Sequence, residues 1–65
     1  MKTLDQIKDK FQTGFRVASF YGNGQLIGTK EVTRVSESSC WMNGMRKSWT
    51  SIQELYNTKL FRELT

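Results

Sequence analysis

Sixty-five residues make one small domain with a small core, since a chain this short buries roughly 60% of its unfolded surface. Ten Lys and Arg against six Asp and Glu leave a formal charge of +4, His is absent and Cys40 stands alone. An internal disulfide, a structural zinc site and histidine general-base chemistry are therefore excluded. Chains of this size that lack such aids are often stabilised by association, so a homo-oligomer is expected about as readily as a monomer.

Met1-Lys2-Thr3-Leu4-Asp5-Gln6-Ile7 alternates charge with apolar residues and has no leader-like apolar stretch. No apolar run approaches the roughly 20 residues that span a bilayer. With its unpaired Cys, the chain reads as a protein of the reducing cytoplasm with no membrane partner.

Thr3 and Gln6 form a capping box that opens a first helix. Leu4, Ile7 and Phe11 fall on one stripe, Asp5 and the later Lys8 and Lys10 suit the helix dipole, and Gly14 is a natural stop. Phe15 to Tyr21 reads as a strand rich in β-formers. Apolar residues on both its faces (Phe15, Val17 and Tyr21; Ala18 and Phe20 with Arg16) mark it as central or well covered. Gly22-Asn23-Gly24 is a turn. Gln25-Leu26-Ile27 starts a return strand interrupted at Gly28 by a bulge or bend. Lys30 to Ser36 continues that strand or forms a third one. Val32 and Val35 do not share parity, which calls for a twist or bulge between them.

Asn43-Gly44 between apolar runs is the strongest short-range hairpin signal, because both residues tolerate positive φ. A two-residue turn there sets Met42 against Met45, Trp41 against Arg46, Cys40 against Lys47 and Ser39 against Ser48. Cys40, Met42, Met45 and Trp49 then share the core side, with Trp41 and Arg46 on the other. Ser51 with Glu54 reads as a second capping box, opening a helix whose stripe is Ile52, Leu55, Tyr56 and Leu60. Phe61 falls off that stripe, so the helix ends near Asn57-Thr58. The expected fold is α+β: a short N-terminal helix, a small antiparallel sheet of three to four strands, and a C-terminal helix packed on the sheet.

Little in the chain suggests catalysis. A Cys nucleophile needs a base or an electropositive niche, and Cys40 has only a cross-strand Lys47; a buried apolar role suits it better. Asp5 and Asp9 lie one helical turn apart beside Lys8 and Lys10, as on a solvated face. The spacing G-x-G-x-x-x-G over Gly22, Gly24 and Gly28 departs from the dinucleotide fingerprint and sits between strands. No catalytic residue, metal site or cofactor is expected.

The basic and aromatic residues carry more. Arg16, Lys30, Arg34, Arg46 and Lys47 fall in the expected sheet against Glu31 and Glu37. An exposed Trp41 stacks on a base and a neighbouring Arg adds phosphate or cation–π contacts; a Trp packed beneath the first helix is the competing role. Trp, Tyr, Met and Arg are also favoured at protein interfaces. Trp41, Arg46, Arg34, Lys47 and Tyr21 form the candidate binding set.

From Glu31 to Leu60, the hairpin Cys40-Trp41-Met42-Asn43-Gly44-Met45-Arg46-Lys47-Ser48-Trp49 running into Ser51-Ile52-Gln53-Glu54-Leu55-Tyr56 resembles small accessory proteins of bacteriophages and plasmids. The likeness covers under half the chain and transfers no catalytic residue. It implies a small inhibitor of a host or defence system, placed in the host cytoplasm if phage-encoded. The expected function is a basic, non-enzymatic binding protein that occludes a surface of a host or defence protein. The alternatives are direct binding of nucleic acid or an anionic nucleotide through a basic and aromatic sheet face, and a self-associating structural subunit.

Overall fold

The computed structural model describes residues 1–64. Helix α1 (Leu4–Lys10) begins as its sequence dictates. The Thr3 hydroxyl accepts from the Gln6 amide, and the Gln6 side-chain oxygen accepts from the Thr3 amide at 2.9 Å. The helix stops at Lys10, and Phe11 caps it by donating its amide to the Ile7 carbonyl at 2.9 Å. Gly14, expected to end the helix, instead takes φ +94° in the turn that follows.

The sheet has five antiparallel strands rather than three or four: β1 (Arg16–Phe20), β2 (Leu26–Val35), β3 (Ser39–Met42), β4 (Met45–Ser48) and β5 (Phe61–Glu63), in the order β4-β3-β2-β1-β5. The fifth lies against β1, which becomes a central strand. That explains its apolar residues on both sides. The long β2 is shared. Its first part pairs with β1 and its last part with β3. Two irregularities bend it. One lies beside Gly28, where Ser19 pairs with Gly28 and Phe20 with Leu26. The other sets Thr33 and Arg34 against Trp41 and reconciles the parities of Val32 and Val35.

Helix α2 (Trp49–Asn57) is capped three residues before the expected Ser51. Ser48 is the N-cap, its hydroxyl accepting from the Ser51 amide. The strand therefore passes into the helix with no loop. The helix ends at Asn57, at the expected Asn57-Thr58 boundary, and Leu60 of the expected stripe lies beyond it.

Register decides which side each strand residue takes, because side chains alternate along a strand. Val17, Val32, Cys40, Met42 and Phe61 meet Ile7 and Phe11 from the first helical segment and Trp49 and Ile52 from α2 in one core. Leu4, Phe15, Val35, Leu55 and Tyr56 close its edge. Phe11 sits at the centre, edge-on to Phe15 at 4.8 Å and to Tyr56 at 5.8 Å between centroids. Met45 was expected in this core by parity with Met42, but it is 63% exposed. β4 is an edge strand, and Met45 stands at the hairpin tip.

Asn43 (φ +52°) and Gly44 (φ +79°) make the tight turn of the β3–β4 hairpin with both residues left-handed. The Asn43 side chain does a second job. Its oxygen accepts from the Glu31 amide at 3.0 Å, and its nitrogen donates to the Thr29 carbonyl at 3.3 Å. One side chain thus extends the β3 ladder along β2.

Candidate functional site

The side of the sheet opposite the helices is where the basic and aromatic residues gather. Trp41 lies between buried Cys40 and Met42 and therefore points to the other side, where it is half-buried. It does not pack beneath the first helix. Its cover is Arg34, whose guanidinium carbon stands 4.7 Å from the Trp41 ring centroid. Arg46, directly across from Trp41, donates from Nε to the Ser39 hydroxyl at 3.0 Å and seals that residue to 2% exposure.

The same side of the other half carries a second stack. Arg62 on β5 pairs with Ala18, and its guanidinium carbon lies 4.4 Å from the Phe20 centroid. Its Nε donates to the Lys59 carbonyl at 3.2 Å. Arg16, two residues from Ala18, shares this side and faces Glu31 across the ladder.

All four arginines of the chain, Arg16, Arg34, Arg46 and Arg62, therefore lie on the helix-free side. Glu31 is the only acid that the described strands place there. The strand lysines take the opposite side: Lys30 pairs with Val17, and Lys47 with Cys40. Among the described residues the one ion pair is Lys10 with Glu63 at 2.9 Å, and it involves none of the arginines. The hydrogen bond that the Lys10 amine donates to Glu63 holds it above its usual pKa.

Of the expected binding set, Trp41, Arg34 and Arg46 come together. Lys47 does not join them, because two-residue alternation puts it on the helix side. Tyr21 also stands apart. Its amide bonds the Gln25 carbonyl at the β1–β2 end, and Arg34 lies nine residues beyond Gln25, roughly 30 Å of extended strand. Arg16, named among the basic residues of the sheet, was left out of that set, and Phe20 and Arg62 were missed. Arg16 and Phe20 share a face in the sequence pattern, but Arg62 becomes visible only once β5 is known.

The site offers cations stacked on aromatic rings. Cys40 is 0% exposed, and burial pushes its thiol up to about 11, so it stays protonated near neutral pH. No group of three His, Cys, Asp or Glu among the described residues is placed to hold a metal ion. No described helix is long and apolar enough to cross a membrane. Comparison with protein-family models, with curated proteins and with solved structures finds no match for this chain.

Proposed function

We propose that this protein binds single-stranded nucleic acid across the helix-free side of its sheet. The observation that carries this is the sorting of all four arginines onto that side, two of them stacked on aromatic rings, against a single carboxylate. Guanidinium groups match phosphate oxygens in a rigid fork, and a stacked Arg is already ordered before it binds. The guanidinium planes stacked on Trp41 and Phe20 offer platforms for unstacked bases, which duplexes do not present. The arrangement favours a ligand that is anionic along its length and has exposed bases.

The test is fluorescence anisotropy of labelled single-stranded and duplex oligonucleotides at low salt, with wild-type protein and the Arg34→Ala/Arg46→Ala variant. Binding of the single strand, weakened in the variant, is the expected result. Absence of binding to either form at low salt sinks the proposal.

A second mode, occlusion of a host or defence protein surface, has its own support. Tyr21, Leu26 and Ile27 are 53%, 55% and 48% exposed at the β1–β2 end, and residues 17–29 carry no charge. Apolar surface of that kind suits a protein interface. If it is the working surface, a complex with the partner survives high salt, and Ile27→Ser weakens it while Arg34→Ala does not.

A further inference from the structure

A separate cleft of about 580 Å³ lies where the N-terminal segment, the end of α2 and β5 meet. Its lining includes Lys2, Tyr56, Asn57, Lys59, Arg62 and Glu63. That volume falls in the usual range for small-ligand sites.

Three cations from three separate parts of the chain converge here. Among the described residues the one lining carboxylate, Glu63, is engaged by Lys10 at 2.9 Å, so their charges in the cleft sum to a positive excess. The backbone of each of these residues is held in place. The Lys2 amide donates to Asn57 Oδ1 at 2.8 Å, and Asn57 Nδ2 and Gln53 Nε2 both donate to the Lys2 carbonyl, at 3.0 and 3.1 Å. Three hydrogen bonds thus fix the backbone of an exposed residue 55 positions away from Asn57. As the left-handed residue after the α2 C-cap, where the Leu60 amide donates to the Leu55 carbonyl at 2.9 Å, Lys59 takes φ +65°. Its amide donates to the Tyr56 carbonyl at 3.1 Å. Arg62 is oriented by its bond to the Lys59 carbonyl and by its stack on Phe20.

Like charges lining one cleft repel until an anion neutralises them. We infer that this cleft binds a small phosphorylated ligand of nucleotide size, with Lys2, Lys59 and Arg62 on the phosphates and the Tyr56 ring edge along the apolar part. Arg62 also belongs to the arginine side of the sheet, whereas Lys2 and Lys59 do not. They separate the two sites.

The experiment is a titration with ADP, inorganic pyrophosphate and adenosine, read by calorimetry and by backbone amide shifts in two-dimensional NMR. ADP and pyrophosphate are expected to bind and to shift the amides of Lys2, Asn57 and Lys59, while adenosine binds far more weakly. Lys2→Gln/Lys59→Gln is expected to lower ADP affinity by roughly tenfold or more. Lys30→Gln, a substitution outside the cleft, leaves it unchanged. Both substitutions in the first variant are of exposed side chains and keep the backbone bonds of residue 2, so its amide spectrum also reports that it is folded. The inference is overturned if neither phosphorylated probe binds the wild-type protein, if the lysine variant binds ADP as well as wild type, or if the shifts centre on Trp41.

Discussion

Removing two arginines from the helix-free side gives a prediction with a definite magnitude. If Arg16, Arg34, Arg46 and Arg62 each neutralise one phosphate, counterion release sets the slope of log K against log salt at about −2.8 for a single strand. Raising salt from 50 to 200 mM then weakens binding by about 50-fold. Arg34→Ala/Arg46→Ala halves the count, so the slope falls to about −1.4 and the same rise in salt costs only about 7-fold. The double variant should remain folded. Arg34 covers Trp41 without a carboxylate partner, and Arg46 makes one hydrogen bond, to Ser39. Circular dichroism checks this. Anisotropy titrations of a labelled oligonucleotide across that salt range supply both slopes. Equal slopes for the two proteins would refute the assignment of these arginines to phosphates. A flat salt dependence in the wild type would refute the phosphate contacts altogether.

Three further outcomes follow from the fold. Phe11→Ala removes a fully buried ring at the centre of the core and should cost about 3–5 kcal/mol. A chain of this length holds about 3–10 kcal/mol in all, so thermal melts should show a variant unfolded or close to it. Asn43→Gly keeps the turn backbone but loses the two bonds to β2, for about 1–3 kcal/mol by urea unfolding; Asn43→Ala should lose about 1 kcal/mol more, because alanine resists the left-handed φ. Burial raises the Cys40 pKa from 9.0 to about 11. The unfolded thiol ionises first, so stability is fully present below about pH 9 and declines as pH rises toward 11; a thiol reagent at pH 8 should label Cys40 only in urea. A Cys40→Ser variant with the same alkaline decline would count against the thiol as its source.

The β3–β4 hairpin was legible because the Asn43-Gly44 turn fixes register, and register fixes sides. The facing of Trp41 with Arg46 and of Cys40 with Lys47 came directly from it. The same register separates Lys47 from Trp41, so grouping them by charge ignored geometry already in hand. Met45 could not be placed that way. Parity gives a side, but exposure depends on how far the helices reach across the sheet, and that is set by the whole fold. Tyr21 and Arg62 needed strand order. β5 is three residues long with one buried side chain, too little for a period-two pattern. Its trace in the sequence was Phe61 falling off the helical stripe. The α2 start was misplaced by three residues because Ser48 and Ser51 are both good caps. The strand running to Ser48 selects the first of them.

The sorting of arginine from lysine also makes Glu31 diagnostic. It faces Arg16 across the ladder as the one acid on the arginine side of the described strands. An ordinary solvated sheet face mixes both signs, and removing one carboxylate from such a face costs only a few tenths of a kcal/mol and touches no function. On a phosphate-binding face the same carboxylate repels the ligand and competes for Arg16. Glu31→Gln keeps the shape of the side chain, and the bond that Asn43 makes to residue 31 uses the backbone amide, so the turn is undisturbed. Affinity for a single-stranded oligonucleotide should therefore rise severalfold at low salt. It should converge on the wild-type value near 1 M salt, where the Debye length falls to about 3 Å. If affinity falls instead, Glu31 works with the arginines rather than against them, as it would in gripping a base edge or a basic partner. The helix-free side would then not be a phosphate-tracking surface.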